Sequence, residues 1–296
     1  MPSEASSVWP PLEQLEQALT QKITAGEIEL PLLPQAASRV MALASDPNAD
    51  AAKLSALIHQ DQALAAHVLK IANSPAYMPR SPVVSLQHAV AMLGITLLSE
   101  IAFTASLKVG AFQIPGYEDD VKKLWRHSLA TGAFAKEVAR VKRMNVESAY
   151  LCGLLHEIGK PVVLRITTTI ARDPKNDWGK ALATILDSKS HIKTLVEGYH
   201  TQVGVLIADK WSLPKQVAEV IQYCGNYEHA TAFRQECMLT FVADRLASHL
   251  LTPEDMPEDS LRDHPVFAEL NLYPQDIDKL LTTKEQVLTI VNAMNL

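Results

Sequence analysis

Residues 152–160 read Cys152-Gly153-Leu154-Leu155-His156-Glu157-Ile158-Gly159-Lys160. A histidine, a glutamate and a lysine here follow an apolar run, and burying such groups is costly unless they are paired or coordinated. The pattern predicts one helix that begins near Glu147 and carries His156, Glu157 and Lys160. Because His156 and Lys160 stand four residues apart, we expect them to share a face of that helix.

Helical periodicity continues on both sides of this segment and predicts an all-α fold. Upstream, Asp50 and Asp61 are predicted helix N-caps, and Ser85 begins a helix that Gly94 closes. Further helices are predicted over residues 12–23, 96–108, 120–142, 181–197, 201–210, 214–223, 236–251 and 284–295. Residues 162–170 are apolar and β-branched, which is typical of a strand. We interpret them as helical or irregular because no nearby segment offers a pairing partner.

The loop from Phe112 to Asp119 contains Pro115 and Gly116, and it divides the predicted helices into two sets. We therefore predict a two-lobed helical bundle with an N-terminal lobe over residues 1–112 and a second lobe over residues 113–296. The second lobe contains the His156 segment and the other polar segments described below.

The amino-acid composition and net charge argue against several classes of protein and of binding partner. The 296 residues carry 33 acidic and 27 basic side chains, a net charge of -6, which argues against general nucleic-acid binding. Three cysteines without paired spacing do not form a disulfide framework and are expected to be buried thiols. The N-terminus lacks the pattern of a signal peptide, and polar residues interrupt the apolar stretch 83–112. We expect a cytoplasmic protein without a membrane span.

Four segments of the predicted second lobe place an imidazole or a carboxylate in an apolar helical context. These segments are 125–127, 155–160, 199–200 and 243–245, and they supply His127, His156, Glu157, His200 and Asp244. Imidazole and carboxylate are common ligands of divalent metals, and a lysine beside such an ion could contact a phosphate. A histidine or carboxylate of this kind, taken alone, is more often a hydrogen-bonded structural residue than a ligand.

An ordered series of motifs resembles a known family. Residues 152–160 resemble the GLLHDIGK signature of the HD superfamily, a group of metal-dependent phosphohydrolase-like proteins. The first lobe resembles the HDOD subgroup specifically, and the resemblance extends over about residues 30–224. Its further matching segments are 30–34, 45–47, 60–64, 68–74, 85–94, 199–204 and 211–214.

The resemblance implies an all-helical fold and a regulatory role in bacterial signalling. In catalytic relatives a first histidine, a His-Asp pair and a distant aspartate hold a metal. Carried over to this chain, the ligands would be His127, His156, Glu157 and Asp244, with His200 as a weaker candidate. The ion would be one divalent metal (Fe, Mn, Mg or Zn), and Lys160 is the candidate phosphate contact.

The chain departs from the catalytic pattern at three places. Glu157 replaces the aspartate of the His-Asp pair, and the extra methylene displaces the carboxylate by roughly 1.5 Å. Tyr223 and Cys224 stand near the place where cyclic-dinucleotide phosphodiesterases carry paired histidines. Lys123 stands where some of those enzymes place a glutamate. A two-metal site would therefore lack several ligands, whereas a one-metal site remains feasible.

Three functions are left open. The chain could be a regulatory module with a degenerate site that binds a protein partner. It could be a metal-dependent phosphohydrolase acting on a nucleotide or cyclic dinucleotide. It could also be a sensor that binds a nucleotide without cleaving it. The missing ligands favour the first interpretation, because hydrolysis would depend on them.

Overall fold

The computed structural model describes residues 10–44, 46, 50–110, 114–172 and 189–295, and no strand occurs among them. The helices in chain order are α1 (Pro10–Thr24), α2 (Gln35–Ala44), α3 (Ala51–His59), α4 (Gln62–Ala72), α5 (Leu86–Gly110), α6 (Glu118–Lys142), α7 (Val146–Leu155), α8 (Gly159–Ala171), α9 (Lys189–Lys210), α10 (Lys215–Tyr223), α11 (Arg234–Leu251), α12 (Glu258–Arg262), α13 (Val266–Glu269), α14 (Pro274–Thr282) and α15 (Lys284–Met294). A short 3-10 helix, Cys224–His229, follows α10. The all-α prediction is confirmed.

The predicted caps of the early helices are present. Asp50 accepts a hydrogen bond from the Lys53 backbone N–H at 2.7 Å, and Asp61 accepts one from Leu64 at 3.0 Å. Ser85 accepts one from the backbone N–H of His88 at the start of α5. Each cap satisfies an N–H that the first turn leaves without a helical acceptor. The aspartate and serine positions therefore determine where α3, α4 and α5 begin.

Helices α2, α3 and α4 all pack against α5, which is the centre of the first group of helices. Gly94 has a φ of +81° within α5, a conformation that costs a glycine little. The helix resumes directly after this kink, so the predicted end at Gly94 is a bend between two helical stretches. Residues 86–107 are long and apolar enough to cross a membrane, but 56% of their most apolar window is buried inside the protein. Buried core helices of soluble proteins pass the same test of length and composition.

The second group of helices is built on α6, which packs against α7, α11 and α15, while α8 packs against α9. Helix α1 contacts α8 and α9 of this group. The chain after α1 also lies on this group, because the Trp211 indole N–H donates to the Pro31 carbonyl at 2.9 Å. The division at residues 112 and 113 stays a prediction, since residues 111–113 lie outside the described ones.

The predicted single helix through His156, Glu157 and Lys160 is wrong. Helix α7 ends at Leu155, residues 156–158 form a turn, and α8 begins at Gly159. The interruption lets α7 pack against α6 while α8 packs against α9. Periodicity within a segment does not reveal such a change of packing partner. Residues 162–170, with their strand-like composition, lie in α8, in agreement with the helical interpretation.

Two further differences concern the later helices. The predicted break between residues 197 and 201 is wrong, because α9 is continuous from Lys189 to Lys210. The beginning of the predicted helix at residue 181 lies outside the described residues. Helices α12, α13 and α14 were not predicted. They are short, and prolines at residues 257, 265 and 274 stand at their starts.

Gly159 permits the contact between α8 and α9. A Cβ atom at this position would lie 1.9 Å from the His200 carbonyl oxygen, whereas one at Gly198 would meet nothing within 4 Å. We predict that Gly159→Ala lowers the free energy of unfolding by about 3 kcal/mol, because overpacking against backbone cannot be relieved by a rotamer change. Gly198→Ala should raise it by up to about 1 kcal/mol through helix propensity. Urea denaturation measures both, and equal effects would contradict this packing.

Candidate metal centre

Four side chains from three places in the second group of helices converge on one point. His127 comes from α6, His156 and Glu157 from the turn between α7 and α8, and Asp244 from α11. One potential ligand atom from each lies within 4.8 Å of those from the other three. The structure thus brings together the four residues that the sequence indicated, although ligation of a metal by them stays a prediction.

Asp244 lies between the two imidazoles. Its Oδ1 is 2.6 Å from Nε2 of His127 and 3.4 Å from Nε2 of His156. The Glu157 carboxylate approaches from another side, with Oε1 3.9 Å from Nε2 of His156. The centroids of the two imidazole rings are 6.0 Å apart. Two carboxylates therefore face two imidazoles within a small, mostly buried volume.

The backbone determines the orientation of His156. Its Nδ1 lies 2.8 Å from the Gly153 carbonyl oxygen, to which it donates. The other nitrogen, Nε2, points toward the carboxylates, is buried and makes no hydrogen bond within the described part of the chain. In a metal-ligating histidine, one ring nitrogen usually donates to a carbonyl or carboxylate, and the other nitrogen is available to bind the metal.

The donor set fits one divalent ion. Ligand distances of about 2.0–2.2 Å place two ligands of one ion no more than about 4.4 Å apart, so the group must contract by only a few tenths of an ångström from its 4.8 Å spread. Two imidazoles and two carboxylates suit iron, manganese or zinc. His127, His156, Glu157 and Asp244 would hold the ion.

Electrostatics keep the carboxylates ionised. Burial raises the pKa of Asp244, but the hydrogen bond from His127 and the charges of the His127 and His156 imidazoles lower it by more, and the net pKa is well below the usual value. For Glu157, burial again raises the pKa, while His156 and Lys160 lower it to a net value below the usual one. A metal ion would find both oxygen ligands deprotonated and would displace protons from the imidazoles.

Lys160 lies beside this group and not in it. Its Nζ is 2.6 Å from Oε1 of Glu157 and 2.8 Å from Oε1 of Glu197. The expectation that it shares a helix face with His156 is wrong, because the turn at residues 156–158 separates the two helices. A phosphate contact by Lys160 stays a prediction, and the ammonium would first have to leave a carboxylate.

His200, the weaker candidate, is not a member of the four-residue group. Its Nδ1 donates to the Glu197 carbonyl oxygen at 2.9 Å, and its own carbonyl oxygen lies against Gly159. Glu197, which the sequence analysis did not single out, holds Lys160. Only a three-dimensional contact reveals this role, since glutamates on helix surfaces are common.

Cys224 and Lys123 stand at two of the places where the sequence departs from the catalytic pattern. Burial, and then the Asp244 carboxylate, raise the pKa of Cys224 well above its usual value, so its sulfur is a neutral thiol and a poor ligand. Lys123, one turn before His127 on α6, is exposed and cationic. The absence of ligands for a second ion stays a prediction.

A cavity of about 250 Å³ adjoins the group on the side of Glu157. Its wall is largely apolar and includes Val121, Leu124 and Trp125 of α6 together with Leu154 and Pro161. The Trp125 indole N–H is buried and has no acceptor among the described residues. The cavity gives the four-residue group a neighbouring space into which a small ligand could enter.

The charge arrangement predicts a pH-dependent effect of His156→Gln in chelator-treated protein. Burial lowers the pKa of His156, but Glu157 and Asp244 raise it to a net value above the usual one. A raised folded-state pKa contributes stability that is fully present below the unfolded pKa of about 6.5 and is lost as pH rises through the folded pKa. The loss of unfolding free energy in His156→Gln should therefore be larger near about pH 6 than near about pH 9. Urea titrations measure it, and an equal loss at both pH values would contradict the charge arrangement.

Comparisons with known proteins agree with the fold. The HDOD domain family model matches residues 30–227. An uncharacterised Treponema pallidum protein is 26% identical over an alignment of 211 residues, and the alignment covers 68% of this chain and 39% of that protein. The chain thus spans about two fifths of the length of this curated relative.

Solved structures show the same architecture. A candidate metal-dependent phosphohydrolase of Shewanella amazonensis SB2B has a TM-score of 0.71 at 21% identity, with 96% of this chain and 99% of that chain covered. An HDOD domain protein of unknown function from Geobacter sulfurreducens has a TM-score of 0.68 at 24% identity, covering 95% and 98%. A candidate signal transduction protein of Marinobacter aquaeolei VT8 has a TM-score of 0.65 at 24% identity, covering 98% and 68%.

These structural similarities, at identities below 25%, concern the fold. The family assignment comes from the HDOD model, which covers most of the chain and matches the range expected from the motifs. Its first matched residues precede α2 and its last lie in the 3-10 helix after α10, so the match includes both groups of helices. The chain belongs to the HDOD domain family.

Proposed function

We propose that this chain is a cytoplasmic signalling protein that acts by binding a protein partner, with an HD-type centre that holds at most one metal ion and does not hydrolyse phosphates. The proposal combines the family membership with the charge arrangement around Glu157. The structurally similar protein from Marinobacter, a candidate signal transduction protein, supports a signalling role.

The contact between Lys160 and Glu157 is the observation that carries the proposal. In two-metal hydrolysis, ions about 3.5–4 Å apart clamp the attacking and leaving oxygens and need a carboxylate between them. Here the ammonium of Lys160 lies 2.6 Å from Oε1 of Glu157 and is also held by Glu197. A second cation beside Glu157 would meet this fixed positive charge, so the arrangement favours a single ion.

A single bound ion would act as a Lewis acid, which is one part of hydrolytic chemistry. The chain's own residues otherwise position and neutralise one another. His127 donates to Asp244, the Gly153 carbonyl orients His156, and Lys160 neutralises Glu157. These contacts hold α6, α8 and α11 together. They would stabilise the fold of the protein whether or not the protein hydrolyses a substrate.

The loop between α4 and α5 supports a binding surface on the first group of helices. Asn73 closes this loop through two hydrogen bonds with the Val83 backbone, each 2.8 Å. Within it Met78 is 80% exposed and has a φ of +39°, and the adjoining Val84 is also 80% exposed. Apolar side chains presented by a held loop are a common feature of recognition surfaces.

The second candidate function is a one-metal phosphohydrolase acting on a nucleotide. Two observations favour it: Nε2 of His156, which faces the carboxylates without a hydrogen bond, and the cavity that adjoins Glu157. A sensor that binds a nucleotide without cleaving it would bind through the same histidine and the same cavity. The Lys160 contact and the neutral thiol of Cys224 give these candidates less support than the binding function.

An activity assay distinguishes hydrolysis from binding. We expect no turnover above the His156→Ala background when the protein is supplied with manganese, iron or magnesium and a panel of nucleotides and cyclic dinucleotides. The physical reason is that the ammonium of Lys160 beside Glu157 would repel a second ion. Turnover in the ordinary enzyme range of about 1–10³ s⁻¹, abolished by His156→Ala, would contradict the proposal.

A second experiment tests the binding surface. Partner capture from the native cytosol by cross-linking should be lost or strongly reduced for the double variant Met78→Ser/Val84→Ser, because apolar contacts supply most interface energy. Tyr273→Ser is the control, since Tyr273 is 60% exposed on the second group of helices. Equal capture by both variants would place the binding surface elsewhere.

A further inference from the structure

A second cavity, of about 170 Å³, lies where the two groups of helices meet. Its wall combines α2 and α5 of the first group with α7 and Pro214, just before α10, of the second. Most of this wall is apolar, and Val40, Phe103 and Leu151 contribute to it. The cavity is separate from the candidate metal centre, none of whose four residues lines it.

The polar part of the wall is acidic. Two carboxylates, Glu100 on α5 and Glu147 in the first turn of α7, line the cavity together with the hydroxyls of Thr96 and Ser99. No lysine, arginine or histidine is among its lining residues in the described part of the chain. An anionic ligand would therefore be repelled, and an uncharged apolar one would offer no positive charge to Glu147.

Glu100 is a buried carboxylate with limited compensation. Only 9% of its surface is exposed, and its Oε2 accepts a hydrogen bond from Lys136 of α6 at 2.5 Å. Burial raises the pKa of Glu100, Lys136 lowers it, Glu147 raises it and Arg140 lowers it, with a net increase. Lys136 occupies Oε2 of Glu100 from α6 and does not line the cavity. The lining itself therefore contains two carboxylates and no cation among the described residues.

We propose that this cavity binds a small amphipathic cation of the alkylammonium class. The hydrocarbon chain would lie against Val40, Phe103 and Leu151, and the ammonium would be near Glu100 and Glu147. Because the wall comes from both groups of helices, such a ligand contacts α5 and α7 at once. Binding would stabilise the packing of α5 against α7 by mass action. The same two helices are already joined by a buried hydrogen bond of 2.8 Å between Thr104 and Tyr150.

The test compares three probes that share a six-carbon chain and differ in the head group: hexylammonium, hexan-1-ol and hexanoate. Binding to the full chain is measured by calorimetric titration at constant ionic strength. We expect hexylammonium to bind about tenfold or more tightly than hexanol, and hexanoate to bind more weakly than both. Equal binding of hexylammonium and hexanol would overturn the role of the carboxylates, and no binding by hexylammonium would overturn the site.

Variants locate the site. Glu147→Gln should weaken hexylammonium binding about three- to tenfold, as expected for a partly exposed ion pair, and leave hexanol binding unchanged. Glu118→Gln is the matched control, because Glu118 also lies in the first turn of a helix and lines the other cavity. Leu151→Trp should fill the space and abolish binding of both probes. If it does not fold, Glu147→Gln still decides: unchanged hexylammonium affinity in that variant would refute the proposal.

A lysine side chain of a partner protein offers the same chemistry as a free amine. Nα-acetyl-lysine methylamide distinguishes the two sources, because its backbone amides would have to remain outside the cavity. We expect it to bind at least about tenfold more weakly than hexylammonium. Equal affinity would overturn the assignment to a small ligand.

Discussion

The contact on which the rest of the site depends is that between Asp244 and the two imidazoles. Oδ1 of Asp244 is 2.6 Å from His127 and 3.4 Å from His156, and these three residues come from α11, α6 and the turn between α7 and α8. Burying a carboxylate is costly unless it is paired or hydrogen-bonded. The requirement to satisfy Asp244 therefore constrains the relative positions of the helices that build the second group.

The need to pair buried charges also applies to the residues next to Asp244. Glu157, held next to this cluster by the turn, needs its own positive partner, which Lys160 provides, and Lys160 is shared with Glu197 of α9. Gly159 allows α8 to approach α9 closely enough for this contact. The four candidate ligands, the ion pair between Lys160 and Glu157, and the close contact of α8 with α9 at Gly159 thus depend on one another. A cluster with the composition of a catalytic site can in this way also hold the helices of the second group together.

Most of the helices could be predicted from the sequence, because caps and hydrophobic periodicity are local sequence signals. Asp50 and Asp61 mark helix starts through side-chain caps, and periodicity finds the long helices. The convergence of His127, His156, Glu157 and Asp244 came from the family resemblance; spacing alone would not have found it, since Asp244 is 117 residues from His127. The break at residues 156–158 and the role of Glu197 arise from contacts between α8 and α9, and no local pattern encodes them. The short helices α12 to α14 were missed because they contain too few residues to show periodicity.

The number of metal ions per chain tests the central claim most directly. The protein is loaded with iron, manganese or zinc, freed of excess metal by gel filtration, and analysed by mass spectrometry beside His156→Ala. The account predicts at most one ion per chain in the wild type, because the ammonium of Lys160, 2.6 Å from Oε1 of Glu157, would repel a second cation there. It predicts none in His156→Ala, because that variant lacks one of the four candidate ligands. Two tightly bound ions per chain in the wild type would contradict it.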